Sequence, residues 1–324
     1  MTWTRRISLV ARRGRRPLLV KVPFLRGLKA VSAALLLGMT ALGAVGCSSL
    51  GRGEPLLTQD ITALPESEID LARASEENRL RLIDPQFADE VTVVGDRWGI
   101  DSARLFFKES NSLILAEETD AAALRAATLS VSQRVPMVTY DDSIRPQISQ
   151  LLNDLDVDRI LVIGNVPWAS QSGQLEVIHD PGNTKALGEY TAFRFDSKVV
   201  MNRERMVDNI ARLDSSTKTE LKAAWEPLPQ HLTKEKMPAI PAQARRDAQM
   251  APVIVATKDS PLANVVNATA YGGTVFVMED PDPTATKAGA AITAGLSDGP
   301  IVALGPEFGS VTEFTHKITQ GWKE

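Results

Sequence analysis

Apolar residues along this chain fall into two kinds of run. Short continuous runs of four to six, "VTVV" (91–94), "SLILA" (112–116), "PMVTY" (136–140) and "RILVIG" (159–164), read as buried strands. Between them lie longer stretches with helical spacing: "GIDSARLFFKE" (99–109), "DAAALRAATLSVSQ" (120–133) and "IRPQISQLLNDL" (144–155). Strands without polar alternation, separated by helices, predict a parallel sheet covered on both faces. Right-handed crossovers then give a Rossmann-like unit.

The same order returns downstream as "PVIVA" (252–256), "PLANVVNATAY" (261–271), "TVFVM" (274–278), "TATKAGAAITAGL" (284–296), "PIVALG" (300–305) and "SVTEFTHKITQGW" (310–322). "LILAEETDAAALRAAT" aligns with "VIVATKDSPLANVVNA", and "ILVIGN" with "IVALGP", at an offset near 140 positions. This periodicity predicts an internal duplication of one α/β unit. Between the copies, "QLEVI" (174–178) and "YTAFRF" (190–195) flank a turn-rich loop and predict a hairpin. "MNRERMVDNIARL" (201–213) and "STKTELKAAW" (216–225) read as helices. "EPLPQHLTKEKMPAIP" (226–241), with four prolines, reads as a linker.

Upstream, "ESEIDLARASEENRLRLI" (66–83) predicts a helix with early carboxylates and late arginines. Before it, 47–65 is rich in Ser, Gly and Pro and reads as a tether. The expected organisation is a leader at 1–46, the tether 47–65, a first unit at 66–165, an intervening segment 166–241 and a second unit at 242–324. The fold class is α/β, two related Rossmann-like units with mainly parallel sheets, preceded by a signal peptide and short tether.

Charge divides the chain. Residues 1–46 hold nine of its 36 basic residues and no acid, which leaves 27 bases against all 40 acids, a net of −13, from residue 47 on. An acidic body repels polyanions, so nucleic acid is not an expected partner. In the leader, a basic region precedes the apolar stretch "AVSAALLLGMTALGAVG" (30–46), which ends at Cys47, the only cysteine. The run "AVGC" (44–47) resembles the box of a bacterial lipoprotein signal. That resemblance implies cleavage before Cys47 and acylation of its thiol, and a body held on the outer face of the cell membrane by palmitate-like chains.

The helix-starting loops "EETD" (117–120), "YDDS" (140–143), "TKDS" (257–260), "EDPD" (279–282) and "GPEFG" (305–309) lie at strand carboxyl ends, where this fold takes ligands. Asp120, Ser143, Ser260, Thr284 and Ser310 stand where an N-cap belongs, with Pro261 at a first helical position. The alternative for Glu117, Glu118, Asp120, Asp141 and Asp142 is a Ca²⁺ cluster, although EF-hand spacing is absent. His179, His231 and His316 are scattered, and neither a G-x-S-x-G elbow nor a phosphate loop occurs. Neither catalysis nor a resident metal or cofactor is expected.

"VTVVGDRWGIDSARLFF", "SLILAEETDAAALRAATLSVSQRVPMVTYDD" and "VDRILVIGN" together resemble the cell wall-binding repeat 2 family. Gly95, Asp96, Arg97, Trp98, Ser102 and Ala103 stand in its Gly–x–Asp–Arg–aromatic block, Asp120, Ala121 and Ala123 in its second, and Gly164-Asn165 replaces its Gly-Gly. The second copy keeps the outline but lacks the Gly-Asp-Arg block. The resemblance implies a non-catalytic envelope module with a cell-wall polymer or envelope protein as partner, binding through Asp96, Arg97, Trp98, Thr119, Asp120, Asp141 and Asp142. Arg97, Arg104, Arg125, Arg134 and Arg145 would have to form a patch for an anionic polymer to bind this body; otherwise they are solvated surface. The competing expectation is a two-lobed solute-binding lipoprotein; a hydrolase would need a catalytic set.

Overall fold

The computed structural model describes residues 55–324, apart from 88, 169–174, 232–233, 235, 245–249 and 322–324. The leader, Cys47 and the tether up to 54 lie outside the described residues. Among the described residues, no helix is long and apolar enough to cross a membrane.

The alternation of the first half folds as β1 (Val91–Val94), α2 (Ile100–Phe106), β2 (Ser112–Ala116), α3 (Asp120–Gln133), β3 (Met137–Thr139), α4 (Arg145–Asp154) and β4 (Arg159–Ile163), after an N-terminal α1 (Leu71–Arg79). There follow β5 (Glu176–His179), α5 (Thr184–Thr191), β6 (Asp196–Val200), α6 (Met206–Ala211) and β7 (Thr219–Ala223). The second copy is β8 (Val253–Thr257), α7 (Leu262–Tyr271), β9 (Val275–Met278), α8 (Lys287–Thr293), β10 (Ile301–Leu304) and α9 (Val311–Gly321).

Every pairing among these strands is parallel. The strands form two four-stranded sheets, ordered β3-β2-β4-β5 and β1-β10-β8-β9, and a two-stranded sheet, β6-β7. Read from the opposite edge, the second order is β9-β8-β10-β1. It matches the first position by position, so the repeated pattern of runs is also a repeated topology. The fourth place is filled differently. In the first sheet β5 follows β4 along the chain; in the second, β1 returns from far upstream and pairs Val91–Val94 with Ile301–Leu304. The "VTVV" run at the head of the first unit thus completes the second unit's sheet.

Burial explains the continuous apolar runs. Successive residues of β8 point to opposite faces, and both faces are covered. Val253 and Val255 join a core with Ile61, Ala291 and Phe314, from the segments outside α7. Ile254 and Ala256 join the larger core shared with the first sheet. Between the sheets α3 and α7 pack against each other, and small residues make the approach close: Ala122, Ala126 and Ala127 on α3, Ala263 and Ala268 on α7 are all essentially unexposed.

The intervening segment departs from expectation twice. Among the described residues of 174–195 no hairpin forms. "PGN" instead starts a helix: Asn183 Oδ1 accepts the Ala186 N–H at 2.9 Å and caps α5. That leaves β5 to pair in parallel with β4. The stretch 216–225 is a strand, β7, despite its helix-forming letters. Tertiary partners override propensity here: Leu221 N donates to Thr128 Oγ1 of α3 at 3.0 Å, and Glu220 lies buried against the same helix. The proline-rich run lies against this segment, with Ile240 N donating to Tyr190 O at 2.8 Å and His231 N to Pro181 O at 2.9 Å.

Caps shift by one or two positions from the expected ones. Thr119 rather than Asp120 caps α3, Asp141 rather than Ser143 caps the turn before α4, and Thr286 rather than Thr284 caps α8. Pro261 is itself the N-cap of α7. Ser310 does cap α9, in a reciprocal box with Glu313.

Candidate functional site

Loops at the carboxyl ends of β1, β2, β3 and β8 converge on one cavity of about 170 Å³. Arg97, Trp98, Thr119, Asp120, Thr139 and Leu262 are among its walls. Both sheets therefore present their carboxyl ends to the same side. Four of the seven expected ligand-binding residues, Arg97, Trp98, Thr119 and Asp120, share this cavity.

The Gly95–Ala103 loop is held by polar contacts across the two units. Asp96 accepts the Trp98 N–H at 2.8 Å and the Asp101 N–H at 3.1 Å, a local turn that starts α2. Its carbonyl accepts from Asn264 Nδ2 at 2.6 Å. Asn267 Nδ2 donates to the Gly99 and Met137 carbonyls, both at 3.0 Å, and its Oδ1 accepts the Met137 N–H at 2.7 Å. Ser102 Oγ donates to Asn264 Oδ1 at 2.7 Å. Gly99 has φ +92°, and a Cβ there would lie 2.6 Å from Ala263 Cβ. Only glycine fits this conformation and this approach. Asp96 is accordingly a positioning residue. Sequence reasoning missed Asn264 and Asn267; the signal was two asparagines three apart in the apolar helix "LANVVNATAY".

Arg97 Cζ stands 4.3 Å above the centre of the Trp98 ring, and its Nη2 meets Glu118 Oε1 at 2.6 Å. The result is an open, half-neutralised cation–aromatic shelf. Thr119 Oγ1 accepts the Ala122 N–H at 3.3 Å. Asp120 accepts from Trp225 Nε1 at 2.9 Å and pairs with Arg203. Asp141 and Asp142 are not among the cavity's walls. Asp141 accepts from the Ser143 amide and hydroxyl, and those bonds, with Arg97 nearby, hold its carboxyl below the ordinary range. Asp142 accepts from Tyr140 OH at 2.6 Å. With each carboxylate so engaged, no group of three or more metal-ligating side chains comes together among the described residues.

The second feature lies at the switch points, between β2 and β4 and between β8 and β10. An open α/β sheet of this order takes its ligand there. In the first unit Glu117, directly after β2, reaches across, and its Oε2 accepts the Asn165 N–H at 3.0 Å. A Cβ on Gly164 (φ +81°) would collide with that carboxylate. In the second unit the carboxylate comes from the other side. Glu307, after β10, accepts from Thr257 Oγ1 at 3.0 Å and Ser260 Oγ at 2.5 Å. Each crevice is filled by the chain's own negative charge, which is hostile to a phosphate.

The arginine patch that an anionic polymer would require does not form. Arg125 is buried: Nε and Nη2 donate to Asp180 at 2.9 and 3.1 Å, and Nη1 to Glu220 at 3.0 Å. Arg104 pairs with Asp154 at 3.0 Å, Arg134 donates to Gln243 O at 3.1 Å, and Arg145 lies 5.0 Å over the Trp168 ring. Only Arg97 reaches the cavity. A charge on an Ala-rich helix reads as surface, but α3 is buried all round, so Arg125 must be paired.

No family model matches the chain, and no curated protein matches it. Among solved structures, Cwp6 from Clostridium difficile aligns with a TM-score of 0.44 at 13% identity, over 71% of this chain and 48% of that one. The match spans about half of that protein's length.

Proposed function

We propose that this chain is a non-catalytic binding or structural module of the cell envelope, held at the outer face of the membrane by acyl chains on Cys47. One observation carries the non-catalytic part: in both units a carboxylate of the chain itself, Glu117 or Glu307, occupies the switch-point crevice. What remains open at that edge is the Arg97–Trp98 shelf beside Glu118 and Thr119. A half-buried indole with an exposed guanidinium stacked on it, flanked by hydrogen-bonding side chains, suits a sugar ring or a peptide that packs on the planar pair and bonds at the rim.

The packing of α3 on α7 favours this reading over a two-lobed solute binder. Opening two lobes would strip apolar surface from helices that are buried over almost their whole length. Sedimentation of the full chain with purified cell-wall material is the test. Retention in the wall pellet is expected, and a chain that stays wholly in the supernatant sinks the binding role. Incorporation of labelled lipid tests the anchor; equal label in wild type and Cys47→Ser refutes it.

A further inference from the structure

The amino-terminal edge of the second sheet carries a different surface. A cleft of about 450 Å³ opens there, beside the starts of β8 and β10, and Asn78, Arg79 and Arg81 line it at the end of α1. Seven other arginines sit in ion pairs. Arg79 and Arg81 are among the described arginines that do not, although the body carries a surplus of acids. Burial lowers the Arg81 pKa, with Glu77 only partly compensating. Glu77 is already engaged by Arg73 and by the Leu56 and Leu57 N–H groups. Asn78 Nδ2 donates to the Ile292 and Ala294 carbonyls, both at 3.0 Å, which fixes the amide's orientation and leaves its buried Oδ1 without a donor.

Leu80 and Leu82 alternate with these arginines and are each 72% exposed, two of six large apolar side chains so placed among the described residues. An exposed arginine, Arg79, and a half-buried one, Arg81, neither in an ion pair, alternate with exposed leucines and fit an interface that is anionic at the surface and apolar just beneath. The chain's own course brings such an interface near. Leu56 and Leu57 are tied to Glu77 on α1, and Leu56 stands nine positions after Cys47, a reach of about 30 Å at most.

We propose that the Arg79-Leu80-Arg81-Leu82 run is a docking surface for an anionic lipid bilayer. The arginines take headgroup phosphodiesters, the leucines enter the acyl boundary, and the body is oriented with its carboxyl-end cavity facing away from the membrane. The proposal rests on the reading of Cys47 as the lipid anchor. Tethering raises the effective concentration of the surface at the bilayer, so a patch too weak to bind alone still sets orientation.

The test uses the full-length acylated protein with phosphatidylcholine vesicles, alone or with about a third of phosphatidylglycerol, and amide hydrogen exchange across 71–83. Exchange at 79–83 should slow several-fold on the anionic vesicles only. Arg79→Gln/Arg81→Gln should abolish the slowing without changing flotation, and Arg79→Gln alone, at an exposed side chain, should weaken the slowing at an unchanged melting temperature, whereas Arg81 is half-buried beside Glu77. Leu80→Ser/Leu82→Ser should reduce it. Flotation with equal exchange on both vesicles overturns the docking surface and leaves the anchor standing. Failure to float on neutral vesicles overturns the anchor; flotation on anionic vesicles that the glutamine pair abolishes still upholds the surface. No flotation on either overturns both. Equal slowing by soluble glycerol phosphate on neutral vesicles would make a free phosphate ester the ligand and overturn docking to the bilayer.

Discussion

Arg125 and Asp180 meet through two parallel N–H···O bonds of 2.9 and 3.1 Å, across 55 residues of chain and almost out of reach of water. Glu220 closes the group from β7, so the middle of α3, the β5–α5 loop and the small third sheet are tied at one guanidinium. Arg125→Ala leaves two buried carboxylates facing each other. It should cost about 3–5 kcal/mol. Arg125→Met together with Asp180→Asn and Glu220→Gln should recover most of that loss. Urea unfolding of the single and triple variants measures both.

Asn267 bonds both backbone groups of Met137 and the carbonyl of Gly99. Asn267→Leu leaves the buried Met137 N–H without its acceptor and takes a donor from the Met137 carbonyl, while Gly99 O keeps the Ala103 N–H, and it should destabilise by about 1–3 kcal/mol. The same variant should loosen the Gly95–Ala103 loop, visible as faster amide exchange at residues 98–103. A stability loss with unchanged exchange there would show that the asparagine does not hold the loop.

Trp98→Ala removes the shelf but leaves the Asp96 turn intact. Wall retention should fall about tenfold or more, from lost stacking of about 1.5 kcal/mol. The melting temperature should also fall by some degrees, since Trp98 is half-buried against the core, so retention is compared at a temperature where both proteins are folded. Arg97→Ala should weaken retention less, because Glu118 already half-neutralises it.

Glu313 is held below the ordinary carboxylate range by the Ser310 amide and then its hydroxyl. A depressed folded pKa contributes stability that is present above the unfolded value near 4.3 and lost as pH falls through the folded one. The loss at α9 should therefore begin below about pH 4.3. In Ser310→Ala the Glu313 titration should move up toward the unfolded value. A carbon-detected NMR titration of the side chain reads the shift; an unmoved Glu313 would break the capping assignment.

Sequence pattern alone determined much of this protein. Buried parallel strands need no polar alternation, so "LILA", "ILVI", "VIVA" and "IVAL" announced parallel strands in both copies, and the shared spacing announced a repeat; that they form two sheets rather than one is decided by the fold. Cap chemistry was legible to within two residues, because Thr119, Asp141 and Thr286 lie beside equally suitable neighbours. Arg97 and Trp98 were picked out by the Gly–x–Asp–Arg–aromatic block; that they stack on one another at the cavity was not legible, because stacking depends on side-chain placement.

Tertiary structure alone decided the rest. A parallel strand can take its neighbour from any distance along the chain, so nothing local told β1 to join β10. The letters of 216–225 favour a helix, but burial of Glu220 against Arg125 outweighs a propensity of a few tenths of a kcal/mol per residue. Glu117 and Glu307 look like solvated loop acids until the fold brings Asn165 and Thr257 to them. Charge and pattern could say which residues are polar; only the packed chain decides which polar groups have already been answered by the protein itself.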